Sequence, residues 1–150
     1  MEPPNKPDDA LRRVGLKITH PRLRVLELLG QGQHLSAEHL YRQMYQTDQD
    51  IGLATIYRVL NQFEATGPAF KHNFEIGPAL YELNRGTHHD HMVDVETGDI
   101  VEFESKEIEA LQRAIASQHG YVLEDHMLVL YVRRPSASAH RPRHSSRTLP

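Results

Sequence analysis

The sequence predicts an α+β fold in two parts: a helical first half closed by a β-hairpin, followed by a small α/β unit. Three observations predict it. Apolar residues recur at helical spacing in four successive segments up to about residue 65, each bounded by capping or stop residues. Short apolar strands separated by turn residues then replace that period. Finally, residues 86–103 place four potential metal ligands in succession, His88, His89, Asp90 and His91, beside an apolar hairpin.

The first seven residues hold three prolines and read as a flexible lead-in. A short helix follows over residues 8–14, with Asp8 and Asp9 at its positive end, Leu11 and Val14 as an apolar pair and Gly15 as its stop. Lys17 lies in the connection. Thr19 is placed to cap a second helix, with Pro21 in its first turn, Leu23, Leu26 and Leu29 on its apolar side, and Gly30 and Gly32 ending it. Ser36 caps a third helix, striped by Ala37, Leu40, Tyr41 and Met44. After a polar break at residues 47–50, a fourth helix runs over residues 53–65. Leu53, Ile56, Leu60 and Phe63 face inward, and Gly67 is its stop.

The outer face of that fourth helix carries Ala54, Thr55, Tyr57, Arg58, Asn61 and Gln62. These are small, hydrogen-bonding or basic side chains without an acid, as a helix entering a DNA major groove requires. Together with the third helix it has helix-turn-helix proportions. Residues 70–74 and 79–83, turning at Ile76-Gly77-Pro78, add a β-hairpin wing. The first part is therefore a winged helix-turn-helix over residues 8–83.

Residues 84–87, beginning Asn84-Arg85-Gly86, read as a hinge, and residues 88–132 as a small α/β dimerisation domain. Its hairpin turns at Glu96-Thr97-Gly98-Asp99. Strand alternation puts His88 and Asp90 on one face, His89 and His91 on the other. Imidazole and carboxylate together suit borderline divalent cations. Ser105 caps a helix ending near His119, with Ile108, Leu111 and Ile115 inward, Glu109 on the flank and Gly120 as its stop. A last strand over residues 121–132 puts His126 in phase with Leu128 and Leu130, a pattern that fits either a buried core histidine or a ligand. Three strands and one helix cannot hide all their apolar surface, so a second copy is the expected cover.

The chain has no cysteine, which excludes disulfides, thiolate-bound zinc and cysteine nucleophiles. It shows no apolar run near the ~18 residues of a membrane span and no signal peptide, so it is expected in the cytoplasm without a membrane partner. Net charge is −3, but five of the 17 basic residues lie from Arg133 onward in a segment without an acid. Residues 133–150 are expected to form a disordered basic tail. The acidic remainder makes any DNA contact local and conditional.

The motifs together resemble the ferric uptake regulators. Gly15-Leu16-Lys17-Ile18-Thr19, Pro21-Arg22, Ser36-Ala37-Glu38 and Ile51-Gly52-Leu53-Ala54-Thr55-Ile56-Tyr57-Arg58-Val59-Leu60 look like that family's N-terminal signature. Lys71-His72-Asn73-Phe74-Glu75, His88-His89-Asp90-His91 and Ile100-Val101-Glu102-Phe103 continue it in order. The resemblance covers about residues 8–132. It implies a homodimeric repressor, with a tetramer on DNA as a larger form. Such a repressor takes Fe2+ as corepressor, Mn2+, Co2+ or Zn2+ being able to substitute, and binds A·T-rich palindromic operators of iron-uptake genes. By position, the regulatory metal set would be His34, Glu82, His89, His91 and Glu102. A second divalent metal would take His88, Asp90, Glu109 and His126. Tyr57 would read bases beside Thr55, Arg58 would hold phosphate, and Lys17 would reach the minor groove.

The sequence departs from many relatives at Asp94 and Thr97, which stand where a Cys-x-x-Cys pair would hold a structural zinc. Gly67-Pro68-Ala69 also opens the wing where an apolar β-former is usual. The lack of cysteine argues against a zinc sensor. Glu82 and Glu102, rather than aspartates, argue against a peroxide sensor. A manganese-responsive regulator is the alternative to the iron-responsive one. A metallohydrolase is a distant third, since five protein ligands leave little room for the water such chemistry needs and no nucleophile–base arrangement is visible. The chain is not expected to be an enzyme.

Overall fold

The structure, a computed structural model, describes residues 6–136. The expectations for residues 1–5 and for the tail from residue 137 lie outside the described residues. The chain divides into two compact units, Met1–His89 and Asp90–Pro150.

The first unit contains helices α1 (Pro7–Arg13), α2 (His20–Leu29), α3 (Ala37–Met44) and α4 (Leu53–Thr66), then strands β1 (Ala69–His72) and β2 (Leu80–Leu83). Its core is continuous. Leu11 of α1, Val25 and Leu29 of α2, Leu40 and Met44 of α3, and Ile56, Leu60 and Phe63 of α4 are all fully enclosed. Val59, outside the expected inner face, is buried too, whereas Leu53 is only half-buried. The helix starts differ in mechanism. Ser36 Oγ accepts the backbone N–H of His39 at 3.1 Å, a working cap on α3. Thr19 occupies the cap position of α2 but makes no side-chain capping bond. Instead Pro21 in the first turn presets the helical φ and lacks one of the N–H groups a cap would serve.

Gly67 ends α4 at φ +107°, a left-handed conformation that an L side chain resists, and its N–H closes on the Phe63 carbonyl at 2.9 Å. The chain reverses there directly into the wing. β1 and β2 pair antiparallel, with Phe70 opposite Glu82 and His72 opposite Leu80. A further pairing extends the wing. Leu35, just before α3, exchanges two backbone hydrogen bonds with Tyr81, at 2.8 and 3.0 Å. That link fixes His34 beside Glu82.

The second unit is a three-stranded sheet of order β4-β3-β5, with β3 at Asp90–Asp94, β4 at Ile100–Phe103 and β5 at Val129–Val132. β4 runs antiparallel and β5 parallel to β3. The intervening helix α5 (Lys106–Gln118) is capped by Ser105 Oγ, which accepts the Ile108 N–H at 3.3 Å. The hairpin turn reverses through Gly98 at φ +78°.

Three expectations need correction here. β3 begins at Asp90, opposite the last residue of β4, so His88 and His89 precede the ladder instead of lying on it. The last strand starts at Val129, not Tyr121: its register with β3 covers residues 129–132, and before them Leu128 adds one carbonyl, which accepts the His91 N–H at 3.2 Å; His126 lies upstream of it. Finally, α5 does not cover the sheet. It has no buried residue, and Leu111 and Ile115 are 64% and 55% exposed. Among the described residues, Leu111 and Ile115 of its apolar stripe are left uncovered.

Candidate metal centre

In the first unit a single carboxylate gathers three imidazoles. Glu82 on β2 has a side chain only 7% exposed, and an anion so enclosed must be compensated. His34 Nε2 lies 2.7 Å and His89 Nε2 3.1 Å from its Oε2, while His72 Nε2 lies 2.9 Å from Oε1. Each imidazole arrives by a different route. The Leu35–Tyr81 pairing brings His34, the wing register brings His72, and the chain leaving β2 brings His89.

Two imidazole nitrogens meeting on one carboxylate oxygen, with no thiolate, form the hard-to-borderline donor set that Fe2+, Mn2+, Co2+ and Zn2+ accept. The residues therefore fit a divalent metal. Without a metal, each nitrogen facing the carboxylate is an N–H donor; as a ligand it offers a lone pair instead.

The second unit supplies further donors in two places. His91 and Glu102 are directly opposite one another across β3 and β4, and so share a face. His126 Nε2 lies 3.1 Å from Asp90 Oδ1. Glu109 is not gathered with that pair; its carboxylate lies 3.7 Å from Arg113, one turn along α5. Asp94 is occupied by its own turn. Its Oδ1 accepts the N–H of Glu96 at 2.8 Å and of Thr97 at 3.3 Å, and the Glu96 N–H in particular lowers its carboxyl pKa. That position now closes the hairpin turn by hydrogen bonds.

The helix-turn-helix face is built in the first unit. On α4, Tyr57 and Arg58 are exposed, Thr55 is half-buried, and Lys17 is exposed on the segment before α2. Tyr57 does not project freely: its hydroxyl donates to the Glu38 carboxylate on α3, which raises the phenol pKa and lowers that of the acid. Arg22 braces the other end. Its Nη1 donates to the Lys17 carbonyl at 2.6 Å and its Nη2 to Gln62 Oε1 at 2.8 Å, joining the Lys17 segment to α4. The turn between α3 and α4 is fixed by Asp48, whose carboxylate accepts from His20 at 2.6 Å, Arg24 at 2.8 Å and Thr47 at 2.9 Å.

Sequence reasoning overlooked His72, Glu38, Arg22 and Asp48. For His72 a signal existed: pairing residues 72 and 80 across the wing makes His72 the diagonal neighbour of Glu82. The others depend on contacts between helices that no spacing encodes.

A family model described as the ferric uptake regulator family matches residues 13–131. The ferric uptake regulation protein of Pseudomonas putida is 51% identical over 126 residues, covering 83% of this chain and 94% of the relative. Among solved structures, the ferric uptake regulator of Pseudomonas aeruginosa with manganese is 46% identical, with a TM-score of 0.73 over 86% of this chain and 98% of that one. The Francisella tularensis regulator with iron is 38% identical, with a TM-score of 0.75 over 80% and 92%.

Proposed function

The chain belongs to the ferric uptake regulator family, a family of transcriptional regulators and not of enzymes, and from that premise we propose that it is a ferrous-iron-responsive repressor. In this reading it acts in the cytoplasm as a homodimer on A·T-rich palindromic operators of iron-uptake genes, with a tetramer as a larger form on DNA.

The observation that carries the proposal is the convergence of His34 and His89, from either side of it in the chain, on Glu82 Oε2 within 3.1 Å. No packing requirement calls for three polar groups at one buried point, whereas a divalent cation does. His34, Glu82 and His89 are the first unit's ligands, and His91 and Glu102 complete the set from the second. A divalent cation held by these residues would supply the positive charge that their carboxylates balance. Those ligands then favour one relative orientation of the two units, by as much as affinity differs between arrangements. The hinge expected at residues 84–87 lies shortly before the boundary between the units at His89–Asp90. Asp90 and His126 form the core of a second divalent site with His88, whereas Glu109 would first have to leave Arg113.

On DNA, Tyr57 and Thr55 of α4 face the major groove, Arg58 holds phosphate and Lys17 enters the narrow minor groove. Arg22 and Glu38 preset this face before DNA arrives. A manganese-responsive regulator is the second reading, because the same imidazole and carboxylate donors accept Mn2+ as well as Fe2+.

The test is anaerobic binding to a labelled A·T-rich palindrome at fixed salt, comparing metal-free protein with protein loaded with Fe2+, Mn2+ or Zn2+. We expect Fe2+ to tighten binding at least ~10-fold, a coupling within the usual allosteric range, and His89→Ala to abolish that gain. Equal affinity with and without metal would remove the switch. A response to Mn2+ alone would transfer the role to manganese.

A further inference from the structure

We propose that His72 is a positioning residue for the metal centre, holding the Glu82 carboxylate so that one chosen oxygen is offered to the cation. The inference rests on the reading of Glu82 as a ligand. It concerns a residue outside the five assigned to the regulatory set.

The two oxygens of Glu82 have different neighbours. Oε2 meets His34 at 2.7 Å and His89 at 3.1 Å; Oε1 meets His72 at 2.9 Å. His72 thus addresses the oxygen opposite to the shared one. Beside a carboxylate its Nε2 is the N–H donor, and a nitrogen carrying that proton has no lone pair for a metal. Its task is then to occupy Oε1 and to leave Oε2 as the coordinating atom.

The ring is itself well supported. It stacks on Phe74 with centroids 5.2 Å apart and planes 4° from parallel, and it lies 5.9 Å from the His34 ring. The wing register supplies the rest, since His72 opposite Leu80 on β1 is the diagonal neighbour of Glu82 on β2. A glutamate has three side-chain torsions, and ordering them costs free energy when a metal is captured. A carboxylate already held by a stacked imidazole has that ordering done in advance. Hydrogen-bonding partners of metal ligands act in this way generally, and their loss typically weakens binding about 10–100-fold.

The experiment titrates the full-length chain with Co2+, following its visible ligand-field bands, in wild type, His72→Phe, His72→Gln and His89→Ala. His72→Phe keeps an aromatic ring on Phe74 and deletes the donor; His72→Gln restores an N–H at similar reach. For the Co2+ equivalent that His89→Ala eliminates, we expect His72→Phe to bind about 10–100-fold more weakly, with band positions unchanged because the ligands are unchanged. His72→Gln should recover most of the affinity. Thermal melts of the metal-free proteins identify any variant that fails to fold, in which case His72→Ala replaces His72→Phe. Wild-type affinity in His72→Phe overturns the proposal, as does a Gln variant no better than Phe. A shifted cobalt spectrum in His72→Phe also overturns it, by making His72 a ligand. If His89→Ala leaves every Co2+ equivalent intact, the ligand reading itself has failed, an outcome distinct from the others.

Discussion

Asp48 shows how much a single enclosed carboxylate organises in the first unit. It sits in the turn between α3 and α4 and is bound by Arg24, His20 and Thr47, so it ties the start of α2 to the approach to α4. Chiefly through the Arg24 guanidinium, and then through His20 and Thr47, its carboxyl pKa is lowered to about 2. The folded-state pKa is below the unfolded one, so the group's stabilising contribution is complete above the unfolded value and is lost as pH falls through the folded value. Acid destabilisation attributable to Asp48 should therefore occur between about pH 4 and pH 2. Asp48→Asn should lower the melting temperature at pH 7 and flatten its fall across that window, as followed by circular dichroism at 0.5-unit steps of roughly constant ionic strength. An unaltered acid profile would assign the wild-type transition to other carboxylates. Spacing alone gave no reason to single out Asp48, because its partners are 24 and 28 residues away.

At the scale of the element, the junction between α4 and the wing carries the strictest backbone requirement. Gly67 lies at φ +107°, and a Cβ added there would meet no atom within 4 Å, so the cost of a side chain is conformational alone. Gly67→Ala should destabilise the fold by about 1–2 kcal/mol, measured by chemical denaturation with an unchanged m-value. A loss below ~0.3 kcal/mol would mean that the turn relaxes to negative φ. The consequence for function is indirect: the same turn sets where β1 and β2 emerge, and with them His72 and Glu82. Helix periods, the Ser36 and Ser105 caps, the Gly67 stop and both hairpin turns were legible because they are local events of the chain. Strand ends were less so. β3 and β5 stop where their partners stop, and a partner's length is not a local property. For that reason β3 begins at Asp90, after His88 and His89, and the final strand is shorter than its apolar pattern suggests.

At the scale of the whole molecule, α5 is the element that asks for something outside the chain. Leu111 and Ile115 face away from every intrachain core at 64% and 55% exposure, and Val122 and Met127 are more exposed still. Large apolar side chains left exposed on one helix face call for a cover, and a second copy is the cover the family reading supplies. Leu111→Glu together with Ile115→Glu should weaken dimerisation by about 30-fold or more, the scale of losing one interface anchor. Sedimentation velocity over a dilution series measures this. An undiminished dimer would place the interface on another surface.

The sequence by itself determined the class of fold, the order of its elements, the family to which the chain belongs and the identity of most candidate ligands. Those follow from side-chain period, capping chemistry and motif, each encoded within a few residues. Only the tertiary structure decided which of those groups meet. His34 reaches Glu82 through a two-bond pairing of Leu35 with Tyr81, His72 through the wing register, and Glu109 turns to Arg113 instead of Asp90. The physical reason is that a ligand set requires atoms from distant segments to coincide within about 3 Å, a hydrogen-bond distance. Propensity acts along the chain; that coincidence is produced by packing.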